Sequence, residues 1–452
     1  MSQNTAARDR ITEGVIWKEM LLFFLPIMLG TLLQQLYNMA DTLIVGRFVG
    51  KQALAAVGGS SPIITLLVNF FVAMSSGASV IVSQYFGAGQ EKNVRSSIQN
   101  AMALAFASGA LITVVGILTA RPLLTLLHTT ADTMEYSVEY LRWYFLGMIP
   151  AMVYNMGSGI LRSMGDSKRP VIFLGVCAVV NIVLDLLLVV VFEMAVMGAA
   201  LATTLSQVVC AVLVLITLGR LPEGHRPDIR CLSVDRGILQ RMMRIGLPAG
   251  LQSSMYNIAN MIIQVAINEL GTDAMAGWTA YRKIDDLFWP ISSAIAVTIM
   301  TFVGQNFGAR KMDRMREVIR MGLVYHVSAS ILFSFIVISA RYPLISLFAK
   351  GDPAVIACGA SVTVYTCLFY CTISCTEVFS SSMRAVGNAI RPALITMVCV
   401  CIFRAVYLYG YVFSHLSNLT IALCYPLSWS LASIVFSLYY RSGKWVPKNG
   451  EI

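Results

Sequence analysis

Twelve apolar stretches, each long enough to cross a lipid bilayer as an α-helix, follow one another along this chain. They lie near residues 17–40, 53–80, 95–119, 136–157, 168–191, 195–219, 239–265, 274–302, 317–340, 357–380, 390–412 and 418–440. Lipid offers the backbone no hydrogen-bond partners, so segments of this kind fold as helices whose amides bond within the segment. Composition agrees: 12% of the residues are charged, against about 25% in an ordinary soluble domain. The expected fold class is an all-α polytopic membrane protein with twelve transmembrane helices. The opening residues, "MSQNTAARDR", lack the apolar core and cleavage site of a signal peptide, so insertion is expected to rely on the first helix.

The formal net charge is +10, and its distribution decides what that means. With the N-terminus in the cytoplasm, 24 of the 33 Lys and Arg fall in cytoplasmic segments and five in outer loops. The remaining four, Arg142, Arg282, Lys283 and Arg404, lie inside predicted helices. This is the positive-inside asymmetry of an inner-membrane protein with both termini cytoplasmic. The basic excess is topology, and no nucleic-acid partner is expected. Nine of the ten cysteines fall inside predicted helices, with Cys231 alone in a cytoplasmic loop. No CxxC pair or zinc-like His/Cys spacing occurs. Cys367, Cys371 and Cys375 recur every four residues, which stacks them on one helix face; they read as small packing residues rather than a metal site.

The chain repeats itself at an offset of about 221 residues. "VSQYFGAG" (Val82 to Gly89) returns as "VGQNFGAR" (Val303 to Arg310), and "RSMGDSKRP" (Arg162 to Pro170) as "RAVGNAIRP" (Arg384 to Pro392). Arg95, Pro122 and Tyr144 correspond to Arg316, Pro343 and Tyr365, and Pro26 to Pro248. Six helices per half is an even number, so both halves share one orientation and the repeat is parallel. The expected organisation is two pseudo-symmetric six-helix bundles, residues 1–219 and 239–452, joined by a cytoplasmic linker over 220–238. That is the architecture of a secondary transporter.

Polar stripes interrupt the hydrocarbon. Thr31, Gln34, Asn38 and Asp41 share one face of the first helix; Ser253, Asn257, Asn260, Gln264 and Asn268 share one face of the seventh. Such stripes are too costly to face lipid, which favours a hydrated cavity over helix–helix hydrogen bonding. Pro26 removes one backbone hydrogen bond from the first helix and sets a kink there.

The fifth helix, "VCAVVNIVLDLLLVVVF", carries Asn181 and Asp185 at i and i+4, and Asp185 is the one charge between Arg169 and Glu193. A carboxylate near the bilayer centre costs about 2.5 kcal/mol or more on insertion scales and usually serves function. Asp185 lies about 22 Å from the cytoplasmic start of its helix. Thr203, descending in the sixth helix, reaches a similar depth to within a turn or two, and Asp41 lies towards the outer end of the first. Hard oxygen ligands of this kind suit Na+ and equally suit a proton. Asn181 and Asp185 correspond to Phe403 and Tyr407, so the second half does not repeat the pair.

The second half has its own anomaly. "AYRKIDDLFWP" puts Arg282, Lys283, Asp285 and Asp286 inside the eighth helix, opposite Ser61, Pro62, Ile64 and Thr65 in the first half. Arg282 is spaced to pair with Asp286 or Asp285. Substrate contact and an internally neutralised network are equally open readings. Glu377 in the tenth helix is a further carboxylate for a cationic substrate, with Arg404 as its candidate counter-ion. The expected substrate-facing set is Gln34, Asn38, Asn257, Gln264, Asp285 and Glu377.

The repeat, together with "LPIMLGTLLQQLYNMADTLIVGRFVG", "SQYFGAGQ", "LRSMGDSKRP" and "NIVLDLLL", resembles the multidrug and toxic compound extrusion (MATE) family over residues 16–440. The resemblance implies an antiporter with a V-shaped cavity between two bundles, extruding organic cations or drug-like molecules against inward Na+ or H+. It implies a coupling site at Asp41, Asn181, Asp185 and Thr203, joined by Tyr140, and a bend at Pro26. No cofactor is expected beyond Na+ as a coupling ion. The family also has members with carboxylates on the seventh and tenth helices; here the seventh carries amides and the tenth keeps Glu377. A lipid-linked oligosaccharide flippase is the nearest alternative, but it calls for more helices and a basic cavity. An intramembrane enzyme is the alternative from another class; no GxSxG, HExxH or phosphate-binding loop supports it.

Overall fold

In a computed structural model, residues 3–227, 234–349 and 351–447 are described. Cys231 lies outside them, as do residues 228–233 of the linker. The described residues form helices joined by turns and loops, with no β-strand among them. A short helix α1 (Gln3–Glu13) precedes α2 (Ile16–Ile44), α3 (Lys51–Gly87), α4 (Glu91–Leu126), α5 (Ala131–Leu146), α6 (Met148–Ser163), α7 (Lys168–Asp185) and α8 (Ala195–Gly219). The second half holds α9 (Arg236–Glu269), α10 (Thr272–Asp285), α11 (Phe288–Gly308), α12 (Met312–Ser339) and the short α13 (Arg341–Ser346). It closes with α14 (Pro353–Cys367), α15 (Tyr370–Ala385), α16 (Ile390–Thr396), α17 (Phe403–Gly410) and α18 (Asn418–Arg441).

These elements account for the twelve expected passes once broken helices are joined. α5 with α6, α10 with α11, α14 with α15 and α16 with α17 each form one pass. Among the described residues nine passes satisfy length and hydropathy alone, and the α14–α15 pair, bent by 48°, makes a tenth. The two that fall short are the polar ones: α9, with its amide stripe and three arginines, and α5–α6, with Asp132, Glu135, Glu139 and Arg142. The helices overrun the expected bounds. α4 has 36 residues, about 54 Å, because hydropathy marks only the lipid-facing length and not the helical ends beyond it.

Local chemistry sets several boundaries. Asp352 accepts from the amides of Ala354 and Val355 at 2.9 and 3.4 Å, with Pro353 as the first residue of α14. That combination starts a helix sharply. Ser417 and Thr420 cap α18 reciprocally. Leu368 and Phe369 break the tenth pass, so Cys367 ends α14 while Cys371 and Cys375 lie on α15. The expected single cysteine face does not form: Cys367 is buried and Cys371 is exposed.

The helices cluster into two compact units. Unit 1 comprises residues 1–14 and 21–250, unit 2 residues 15–20 and 251–452. The first turns of α2 thus belong with the second half, and α9 as far as Gly250 belongs with the first. Within unit 1, α9 meets α3 at glycine. A Cβ on Gly77 would lie 2.2 Å from the Met242 carbonyl oxygen, and one on Gly246 2.3 Å from that of Met74. Only glycine permits backbones this close. Pro26 sits inside α2, which remains helical from Ile16 to Ile44.

Unit 2 is organised around aromatic side chains. Trp278, Phe288, Tyr370 and Trp429 are buried together, and Phe288 stacks on Tyr370 with ring centroids 4.2 Å apart.

Candidate ion-coupling site

α7 presents Asn181 and Asp185 on one face, turned fully into unit 1, with 1% and 0% of their surface exposed. The antiparallel neighbour α8 is fixed in register by two thiol contacts. Cys177 Sγ lies 3.1 Å from the Ser206 carbonyl oxygen, and Cys210 Sγ 3.4 Å from that of Phe173. This register levels Thr203 with Asn181, about one turn short of Asp185. Thr204, the next residue, donates to the Trp143 carbonyl at 3.1 Å and so docks α5. Tyr140, one turn before Trp143, is buried against Ala199 and Ala200.

Asp41 completes the group from α2. Its carboxylate and that of Asp185 lie close enough for their charges to interact, and the Tyr140 hydroxyl lies in the field of both. Both oxygens of Asp185, both amide atoms of Asn181 and Oδ1 of Asp41 are buried without a hydrogen-bond partner among the described residues. Folded proteins pair nearly all such atoms. Unpaired carboxylate oxygens facing a second carboxylate form a set of acceptors without donors, suited to a cation or a proton. The surrounding helices also depart from α geometry: π-helical turns run over Val45–Val49, shortly after Asp41, and Leu186–Val191, directly after Asp185. Such turns often mark functional sites.

The structure thus assembles Asp41, Asn181, Asp185 and Tyr140, and sets Thr203 level with them without a hydrogen bond to Asn181 or Asp185. It adds two residues that sequence reasoning missed. The Tyr144 hydroxyl lies in the field of Asp41, and that of Tyr37 in the field of Tyr144. Helical spacing carried the signal: Tyr37 is one turn before Asp41, and Tyr144 one turn after Tyr140.

The polar stripes are partly self-satisfied. Gln34 and Asn38 are exposed. The Asn257 amide donates to the Ser253 carbonyl at 3.1 Å, and that of Gln264 to Asn268 Oδ1 at 2.7 Å.

In the second half two expected pairings do not form. Asp285 makes no ion pair with Arg282. It accepts instead from Tyr281 Oη at 3.2 Å, from Trp289 Nε1 at 3.0 Å and from Tyr370 Oη. α10 ends at Asp285; Tyr281 and Trp289 stand four residues to either side of it, and Tyr370 reaches it from α15. Nor does Arg404 serve Glu377. Arg404 is buried, donates to Ser428 Oγ at 3.0 Å and Asn260 Oδ1 at 3.1 Å, and lies over the Tyr425 ring. The cation facing Glu377 is Arg384, two turns along the same helix. Among the described residues no cluster of three His, Cys, Asp or Glu is arranged to hold a metal ion.

The MatE family model matches residues 26–187 and matches again over 248–409. The chain belongs to the MatE family. The double match, one per half, is the internal repeat read from the sequence. MatE members are transporters and not enzymes, and this chain is a multi-pass membrane transporter. Over 96% of its length it is 28% identical to a Bacillus subtilis protein named "Probable multidrug resistance protein YpnP", of which 97% is covered. It is 26% identical to a Thermotoga maritima protein named "Probable multidrug resistance protein NorM", over 98% of this chain and 96% of that one. A crystal structure of a MATE protein in a bent conformation superposes with a TM-score of 0.90 at 21% identity, covering 98% of each chain. An outward-facing MATE transporter gives 0.89 at 22% identity, over 96% of this chain and 97% of that one. At these identities the likeness establishes the fold alone.

Proposed function

We propose that this MatE transporter is an exporter of organic cations and drug-like molecules in the cytoplasmic membrane, with both termini cytoplasmic, driven by inward Na+ or H+. The observation that carries the coupling role is the set of buried, unpaired oxygens on Asn181, Asp185 and Asp41. An ion drives a conformational change only through different affinities for the two states. A carboxylate pair without donors binds a cation tightly when enclosed and releases it when hydrated. Asp185 and Asp41 hold the charge, Asn181 and Thr203 supply neutral oxygens, and Tyr140 closes the inner wall. The multidrug names of the relatives support the substrate class, and the exposed Gln34 and Asn38 offer it polar contacts. Pro26 supplies the point at which α2 bends during the cycle.

The test is export of a dye cation from proteoliposomes under an imposed Na+ or pH gradient, with Asp185→Asn as the comparison. Loss of gradient-driven export with dye binding retained supports the reading, and the effective gradient names the ion. Unaltered export by Asp185→Asn under both gradients overturns it.

A further inference from the structure

Asp285 is the second intramembrane carboxylate with a built surrounding, and that surrounding is chemically opposite to the one at Asp185. Where Asp185 has no donors, Asp285 has three. Tyr281 Oη and Tyr370 Oη point at Oδ1 and Trp289 Nε1 at Oδ2, and the two tyrosine hydroxyls lie 3.3 Å apart. The group stands where the eighth pass is interrupted at Asp286 and Leu287, about 20 Å from the start of α10. In membrane transporters, broken helices frequently carry substrate or ion sites. The set is also particular to one half. At the 221-residue offset that aligns "VSQYFGAG" with "VGQNFGAR", Tyr281, Asp285, Trp289 and Tyr370 stand where the first half has Ser60, Ile64, Val68 and Ile149. Only Tyr281 has a polar counterpart, so a carboxylate, an indole and a second phenol that meet in one bundle and face apolar positions in the other are not a requirement of the shared architecture.

We propose that Asp285 is a second coupling site of the transport cycle, within unit 2, and that it takes a proton and not a metal cation. The donors decide the selectivity. A metal ion needs oxygen lone pairs, but an indole N–H is a donor only and cannot turn its proton away. A metal ion beside Oδ2 would gain no ligand from Trp289, whose N–H turns its positive end towards that oxygen. A proton needs far less: Oδ1 takes H+ from water to become a neutral carboxyl, and the Tyr370 hydroxyl rotates from donating to accepting. Release returns the same proton to water on the other side. Among the described residues Asp285 is in no ion pair, and its partners are the three neutral donors. The titratable and charged groups around it are Tyr281, Arg282 and Asp286 on its own stretch, Tyr370 from α15, Cys367 from α14 and Tyr425 from α18. Protonation weakens the hold of Asp285 on Trp289 of α11 and Tyr370 of α15 together, which links charge state to the helix break.

The coupling role rests on the transport reading above, whereas the proton site itself rests on the geometry, so each is tested separately. For the site, pH-difference infrared spectra are taken on the full-length protein in nanodiscs. A protonated-carboxyl band that titrates in the native protein and in Asp185→Asn, ignores added Na+, and vanishes in Asp285→Asn supports the assignment. Tyr370→Phe, which keeps the carboxylate and removes one donor to its charged form, shifts the titration to higher pH. A spectrum unchanged by Asp285→Asn, a band displaced by Na+, or an unshifted Tyr370→Phe titration overturns it.

For the role, dye export is driven by a pH gradient in proteoliposomes. Asp285→Asn is expected to lose at least ~10-fold in rate, within the usual range of coupling factors, while dye binding is retained. Loss of dye binding would make Asp285 a substrate ligand and overturn the proton role. If the native protein exports nothing under either gradient, the transport reading fails, and the infrared result still decides the site.

Discussion

Asn181 and Asp185 stand one turn apart on α7, both buried and neither hydrogen-bonded. Membrane helices normally place amides and carboxylates where neighbours satisfy them, because an unpaired polar group in a dry interior costs several kcal/mol. The pair is therefore a source of instability that binding of a cation or proton would relieve.

Ligand-linked stability follows. At 100 times its dissociation constant, the coupling ion is expected to stabilise the native protein by about 2.7 kcal/mol, seen as a rise in apparent Tm. In ion-free buffer Asp185→Asn should melt above the native protein, since it deletes an unpaired buried charge. Its Tm should then not respond to the ion. A native protein indifferent to both Na+ and pH would refute this.

The α3–α9 contact predicts a steric phenotype. Gly77→Ala and Gly246→Ala each force a methyl group against a backbone carbonyl, at 2.2 and 2.3 Å, and overpacking of this kind costs about 1–3 kcal/mol. Gly175→Ala, where nothing lies within 4 Å, is the control and should leave thermal stability unchanged. Equal melting of all three variants would show that the helices separate without cost.

Arg404 predicts a geometric requirement. Its guanidinium serves Ser428, Asn260 and the Tyr425 ring at once. A lysine keeps the charge but lacks the planar fork. Arg404→Lys is expected to lose about 1–3 kcal/mol, the cost of leaving a buried polar partner unsatisfied, measurable by denaturation in detergent. Native-like stability of Arg404→Lys would mean that charge alone suffices.

Outside the membrane, His225 predicts a pH dependence. It is buried against Phe86, with ring centroids 5.7 Å apart, and its Nδ1 has no partner among the described residues. Burial pushes its pKa below the ordinary 6.5, outweighing the opposing charge of Glu91. The folded state therefore prefers neutral histidine. Its contribution is fully present above pH 6.5 and is lost as the pH falls through the lowered folded-state value. Proteolytic cleavage of the linker should increase on acidification in the native protein and not in His225→Phe. Identical acid sensitivity of both would place the effect elsewhere.

Much of this molecule was legible in its sequence, and the reason is the solvent. Lipid leaves the backbone only the helix and the closed β-barrel, and apolar runs this long select the helix, so apolar length determined the all-α class and twelve passes, while recurring motifs revealed the repeat. Helical periodicity then put Asn181 with Asp185, and the same rule applied to Tyr37 and Tyr144 would have found them too. Contacts between helices were decided only by tertiary structure. Arg282 is spaced to pair with Asp285, yet that carboxylate goes to Tyr281 and Trp289, four residues to either side, and to Tyr370 from α15. Arg404 is drawn to Asn260 and Ser428, away from Glu377. The cysteines that align on an unbroken helix are separated at Leu368 and Phe369. Periodicity describes one straight helix at a time; breaks, registers and partners depend on how helices pack, and those interactions join residues far apart in the chain.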